Sequence, residues 1–203
     1  MQAERRIVLA SGSRIRRELL ESAGVDVEVV PASIDEDAVK RELLAGAKPL
    51  SPRDLAVALA RAKAANVASR CAGSLVIGAD QVLELEGATL SKPPDLNSAA
   101  AHLRRLRGKE HRLHAAVVRM EDDGCQFDTV DTARLFMRDF SDEFLKRYLE
   151  AAGARVCHSV GAYEFEGLGL HLFDRIEGDY YTILGLPMLP LMSALRAQKV
   201  ILS

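Results

Sequence analysis

The sequence predicts an α/β fold: a mixed β-sheet with flanking helices. Three observations predict it. Short apolar runs alternate along the chain with amphipathic segments that carry helix caps. Two long strand-like segments, 111–120 and 125–138, follow one another with only a short break, as antiparallel neighbours do. No repeat, low-complexity tract or long linker interrupts the 203 residues, which suits one domain over 1–203.

The elements follow in order. "RIVLAS" (6–11) reads as a short buried strand. Ser13 is placed to cap a helix whose apolar face is Ile15, Leu19, Leu20 and Ala23, with Gly24 as its stop. "VDVEVVPA" (25–32) alternates as a strand does, and "SIDED" (33–37) reads as an acidic loop. Ser51 and Pro52 open a helix running to about residue 70. "SLVIGAD" (74–80) is an apolar strand ending on a carboxylate, and "LELEGATL" (83–90) a hairpin turning at Glu86 and Gly87. Asp95 caps a helix that stops at Gly108, and Ser141 opens one that stops at Gly153, with Phe140 and Leu145 stapled around its start. "LGLHLFDRI" (168–176) reads as a strand, and a last helix starts near Pro187.

Composition bounds the function. Hydrophobic residues make up 48% of the chain and charged residues 28%, enough to build a core. A net charge of −2 argues against a nucleic-acid binder working through a broad basic face, though not against a focused basic pocket. No apolar run is long enough to span a bilayer or form a signal-peptide core, so the expectation is a cytoplasmic protein with no membrane partner. Cys71, Cys125 and Cys157 are odd in number and widely spaced, which predicts free, buried thiols. His111 and His114, three apart on a strand, face opposite ways and do not make a metal site.

Several charged residues stand in unusual places. Three arginines, Arg14, Arg16 and Arg17, crowd a helix start. Lys63 shares a stripe with Leu55, Leu59 and Val67, so it either snorkels past the core edge or points at something anionic. Asp80 follows Gly78-Ala79 at the end of a strand, where α/β folds place ligands, and no helix follows for it to cap. Lys92 is collared by Pro93 and Pro94. Glu36 lies in the acidic loop, and "GAYEFEGLGL" (161–170) is rich in glycine. Each feature has an ordinary structural explanation. Together they make the list that polyphosphate chemistry needs: a helix N-terminus and cations for phosphate oxygens, and carboxylates for a divalent ion and an attacking water. No P-loop is present.

These residues also carry a resemblance. "LASGSRIRRELL" (9–20), Asp35-Glu36, "ALARAKA" (58–64), "IGAD" (77–80), "SKPPD" (91–95), "HLRRLRGKEH" (102–111), "GAYEFEG" (161–167) and "GDYYTILGLP" (178–187) resemble the Maf proteins. These are nucleoside triphosphate pyrophosphatases whose fold is shared with inosine-triphosphate pyrophosphatases. The resemblance implies an elongated mixed sheet with flanking helices and two lobes around a deep cleft, often dimeric. It implies cleavage between the α- and β-phosphates with Mg²⁺ or Mn²⁺. Carried over by position, Asp80 is the catalytic acid and a metal ligand, Glu36 supports the metal, and Lys63 and Lys92 belong to the catalytic set. Ser11, Ser13, Arg16 and Arg17 line the triphosphate channel.

The departures point to a subgroup. The common serine-proline-arginine-arginine motif has Arg14 for proline and Ile15 for its first arginine. Arg16, Arg17, Gln81, Glu166 and His158 instead match the members that act on 7-methyl-GTP. N7-methylation makes guanine cationic, and a carboxylate such as Glu166 favours that charge over a neutral glutamine. The alternatives are a dTTP/UTP pyrophosphatase and a nucleotide-binding regulator of cell division and septum formation.

Overall fold

The computed structural model describes residues 5–45, 49–122 and 124–201. Among these, seven strands form one mixed sheet in the order β2-β1-β3-β5-β6-β7, with β4 also on β3. β1 (Ile7–Leu9) lies parallel to both β2 (Glu28–Val29) and the start of β3 (Leu75–Leu85). β4 (Ala88–Leu90), β5 (Glu110–Glu121), β6 (Gly124–Met137) and β7 (Phe173–Glu177) add antiparallel pairs. The α/β class and the mixed sheet agree with the sequence.

β3 organises the molecule. β5 pairs with it continuously from Val76 to Glu84. On the opposite edge, β1 covers Leu75 to Ile77 and β4 covers Leu83 to Leu85. Residues 78–82 therefore carry no strand on that edge, and the sheet has an interruption in mid-strand. The β3–β4 hairpin turns at Glu86 and Gly87, with φ of 53° and 82°, the paired positive values that a tight two-residue turn requires.

Side-chain alternation splits the core. Leu75, Ile77 and Ala79 pack with α1 (Arg14–Ser22) and α7 (Met188–Ala197). Val76 and Val82 turn the other way, to α3 (Pro52–Ala68). Leu83 and Leu85 return to the first face but meet a separate cluster built by α4 (Leu96–Leu106) and α5 (Asp142–Ala152). One face thus carries two helical layers with Gln81 between them. Period-2 burial on one long strand serves three clusters, two on one face and one on the other.

Close approach sets α3. A Cβ on Gly78 would lie 2.7 Å from the Cβ of Ala64 and clash with the carbonyl oxygen of Ala60. Only glycine lets the helix lie this near the strand. Ser13, Ser51, Asp95 and Ser141 accept hydrogen bonds from backbone N–H groups three residues on, as N-caps do.

Several expected boundaries shift. The strand expected at 25–32 is only Glu28–Val29, because its partner β1 offers just Val8 and Leu9 for pairing. The acidic loop at 33–37 instead opens a helix, α2 (Glu36–Ala45), with Asp35 accepting from the N–H of Ala38 at 2.9 Å. Asp80 does not end its strand; β3 runs five residues further. The strand expected at 168–176 begins at Phe173, because the N–H groups of Gly167 and Gly169 both turn back to the carbonyl of Glu164 and wind Leu168–Leu172 into a 3-10 turn. The three cysteines are free, but only Cys71 is buried; Cys125 is exposed beside the β5–β6 turn. His111 and His114 do face opposite ways: His111 Nε2 meets the Tyr163 hydroxyl at 2.8 Å, and His114 Nε2 meets Glu84 at 2.7 Å. Burial holds His111 down to about 4, so it is a neutral core residue.

Candidate active site

The interruption in β3 gathers the charged residues. Gly78 brings α3 against the strand, and two residues on, Asp80 faces the same helix. Its Oδ1 lies 2.6 Å from the Lys63 ammonium. The same ammonium lies 2.8 Å from Glu36 Oε2 at the start of α2. Lys63 and Asp80 are each only 7% exposed, so Lys63 does not snorkel. It bridges the buried carboxylate of Asp80 and the exposed one of Glu36. Burial pushes the Asp80 carboxyl above the usual aspartate value, opposed by Lys63 and Arg16 and reinforced by Glu36.

Of the three arginines, one turns inward. Arg14 pairs with Glu18 at 2.8 Å on the exposed face of α1. Arg17 lies 3.6 Å from Glu21, half-exposed. Neither contacts the Asp80 cluster among the described residues. Arg16 is buried, and its guanidinium joins three segments: Nε donates to the Gly185 carbonyl at 2.8 Å, and Nη1 to Ser11 Oγ and the Ala79 carbonyl at 3.0 Å each. It occupies the bare edge of β3 where a strand would otherwise sit. Burial lowers its pKa, with Asp80 and Glu36 opposing.

Ser11 accepts that bond from Arg16 and one from the N–H of Ser13 at 3.3 Å. Ser13 Oγ accepts from the N–H of Arg16 at 3.4 Å as the cap of α1. The loop from Ser11 to Ser13 thus presents the N-terminus of α1 beside the cluster, a site where backbone N–H groups favour an anion. Lys92 enters from the far side, just beyond β4. It is exposed, yet partial burial and the charges of Arg16 and Lys63 lower its pKa, with Glu36 and Asp80 opposing. Arg16, Lys63 and Lys92 against Asp80 and Glu36 leave one net positive charge for an anion to neutralise.

The next residue of β3 faces the opposite side. Gln81 Nε2 donates to the carbonyls of Thr182 and Ile183 at 3.0 Å, fixing α6 (Tyr180–Ile183). At the start of that helix, the half-exposed Tyr180 donates its hydroxyl to Glu166 at 3.4 Å. Glu166 is exposed and meets α6 through Tyr180. The sequence offered no side-chain signal for the backbone acceptors at Ala79, Thr182, Ile183 and Gly185. It did contain Lys40 and Ser91, which meet at 2.9 Å, but nothing in their spacing linked them. A cavity of about 400 Å³ between Tyr148, Arg155, Glu164 and His171 lies apart from the cluster.

Two carboxylates converging on one ammonium suit a hard divalent cation. Magnesium keeps several waters and is held by one or two carboxylates together with substrate phosphates. Asp80 and Glu36 supply that number. No group of three or more His, Cys, Asp or Glu residues is placed to hold a metal among the described residues, which points away from a closed, all-protein site.

A sheet interrupted in mid-strand, with a buried charge cluster in the opening, defines a ligand-binding α/β protein. Its relatives narrow this: residues 6–198 match the Maf-like protein family, and the chain belongs to that family. A nucleoside triphosphate pyrophosphatase of Nitrobacter winogradskyi is 50% identical over 192 residues, 95% of this chain and 93% of the relative. A 7-methyl-GTP pyrophosphatase of Rhizobium etli is 48% identical over 192 residues, 94% of this chain and 95% of the relative. Another 7-methyl-GTP pyrophosphatase, from Rhizobium meliloti, is 48% identical over 190 residues, 94% of each chain. Among solved structures, a nucleoside-triphosphatase / dITP/XTP pyrophosphatase from Mycobacterium abscessus aligns at TM-score 0.38 and 18% identity, over 66% of this chain and 75% of the other.

Proposed function

We propose that the protein hydrolyses nucleoside triphosphates between the α- and β-phosphates, giving a nucleoside monophosphate and pyrophosphate. The observation that carries this reading is the Asp80–Lys63–Glu36 cluster. It lies in the bare edge of β3, beside the N-terminus of α1 and across from Lys92. The names and near full-length identity of the relatives support the same activity.

The residues divide the work by position. The N-terminus of α1 and the Ser11–Ser13 loop receive phosphate oxygens, as helix N-termini do. Arg16 spends Nε and Nη1 on its own chain, so its role is to hold the phosphate loop to β3 and lend its charge. Asp80 removes a proton from water as the water oxygen bonds to the α-phosphorus. The bond from that phosphorus to the bridging oxygen breaks, and its electron pair leaves with pyrophosphate. Lys63 opposes the burial that disfavours ionised Asp80, and Lys92 faces the departing charge. A bound Mg²⁺ or Mn²⁺, held by Asp80 and Glu36, would supply charge neutralisation on the triphosphate.

The preferred substrate in this reading is 7-methyl-GTP. Support comes from Gln81 and Glu166, and from relatives that carry that name. Tyr180 adds an exposed ring beside the Glu166 carboxylate, a pairing that suits a planar cation. The test is pyrophosphate release from 7-methyl-GTP, GTP, dTTP, UTP and CTP, with and without Mg²⁺. We expect metal-dependent release, fastest with 7-methyl-GTP. Preference for dTTP and UTP would overturn the substrate and leave the reaction. Binding without release from any nucleotide would overturn the reaction in favour of a regulatory nucleotide-binding protein.

A further inference from the structure

No residue of α2 is fully buried. Val39, Leu43 and Leu44 only lean on the core beneath it. Polar contacts add to this packing in setting where the helix sits. Ahead of it, the N–H of Ser33 donates to Asn66 on α3 at 2.9 Å. On its first turn, Glu36 reaches Lys63 at 2.8 Å. One turn later, Lys40 donates to Ser91 Oγ at 2.9 Å. Glu36 and Lys40 are four residues apart and so share one helical face. That face touches both walls of the opening: α3 on one side, and the segment after β4 on the other.

Ser91 immediately precedes Lys92. In the free protein Lys92 is partly buried beside Arg16 and Lys63, whose charges oppose its own, with Glu36 and Asp80 acting the other way. Pro93 and Pro94 stiffen the backbone behind it, so a restraint placed at Ser91 is passed on to Lys92. We propose that Lys40 is a positioning residue. Through Ser91 it clasps α2 to the Lys92 segment across the interrupted edge, and presets both phosphate-binding walls before substrate binds. The kinetic consequence of the clasp rests on the pyrophosphatase reading; the clasp itself does not.

The consequence is specific. Without the clasp, the free enzyme spends part of its time with the walls apart, and apparent affinity falls by the fraction still competent. Saturating substrate closes the walls again, so KM rises while kcat holds. A merely structural residue behaves differently: its loss lowers the amount of active enzyme, so kcat falls and KM stays.

The test compares Lys40→Met, Ser91→Ala, their double variant and Lys40→Arg. One lost hydrogen bond from a charged donor at an exposed site predicts an increase in KM of about twofold to fivefold, with kcat unchanged within error. The double variant should be no worse than either single, because both remove one contact. Lys40→Arg keeps the donor and should restore KM. Hydrogen exchange across residues 36–45 in nucleotide-free protein should quicken by the same factor of about twofold to fivefold in Lys40→Met and Ser91→Ala. Unchanged KM, additive singles, a fall in kcat at constant KM, or unchanged exchange would each overturn the proposal. If the wild type hydrolyses no nucleotide, the pyrophosphatase reading fails, and the exchange comparison still decides the clasp.

Discussion

Replacing Asp80 by asparagine tests the reaction most directly. The variant keeps the size and one carbonyl oxygen but removes the negative charge. Losing a positioned general base costs typically ~10²–10⁴-fold in turnover, an increase of about 2.7–5.5 kcal/mol in the barrier. The effect on stability should be smaller. Removing one partner of a buried ion pair costs about 3–5 kcal/mol when the other charge is stranded, but Lys63 keeps Glu36 at 2.8 Å. Burial also disfavours the ionised form of Asp80, so neutralising it relieves part of that penalty. The net loss should stay under ~3 kcal/mol, a fall in Tm of less than about 10 °C for a chain of this size. Native domains are stable by about 5–15 kcal/mol, so the variant should remain folded and inactive. The assay is pyrophosphate release at saturating nucleotide, beside thermal unfolding followed by circular dichroism. A folded variant within tenfold of wild-type turnover would remove Asp80 from the role of base.

Further outcomes follow from the same geometry. Burial raises the Asp80 pKa, so the ionised base is lost on acidification at a higher pH than for an exposed aspartate, which titrates near about 3.9. The acid limb of kcat/KM should lie above that value, and Lys63→Met should move it higher still, because Lys63 is the main group holding it down. Burial and neighbouring cations lower the Lys92 pKa, so kcat/KM should also decline on the alkaline side before an ordinary lysine would titrate; Lys92→Arg should push that limb upward. Gly78→Ala would drive α3 off β3, costing about 1–3 kcal/mol and separating Lys63 from Asp80. Its unfolding midpoint and turnover should fall together, and a variant as active as wild type would contradict the close approach.

Most of the fold was legible because local chemistry agreed with the final structure. Ser13, Ser51, Asp95 and Ser141 are caps in the sequence and caps in the structure. The Glu86-Gly87 turn was readable because few residue pairs adopt two successive positive φ angles. The misread segments owe their form to tertiary contact. α2 has no fully buried face, so its hydrophobic pattern is weak. The 3-10 turn at Leu168–Leu172 depends on a carbonyl at Glu164, which no spacing of leucines reveals. Within the candidate site, Asp80, Lys63, Glu36 and Arg16 were readable as charges out of place. Which of three adjacent arginines turns inward was not, because helical phase relative to the sheet decides it: Arg16 goes in, Arg14 and Arg17 out.

Asp80 and Gln81 are neighbours on one strand, yet they look out on opposite sides of the backbone, one toward α3 and the other toward α6. A single peptide unit separates the side chain that meets Lys63 from the one that meets α6. Substitutions around α6 would first alter the surroundings of Gln81 and of Arg16, which donates to the Gly185 carbonyl, while the Lys63–Asp80 contact lies on the other face. A scaffold of this kind can vary one face of a strand without rebuilding the other.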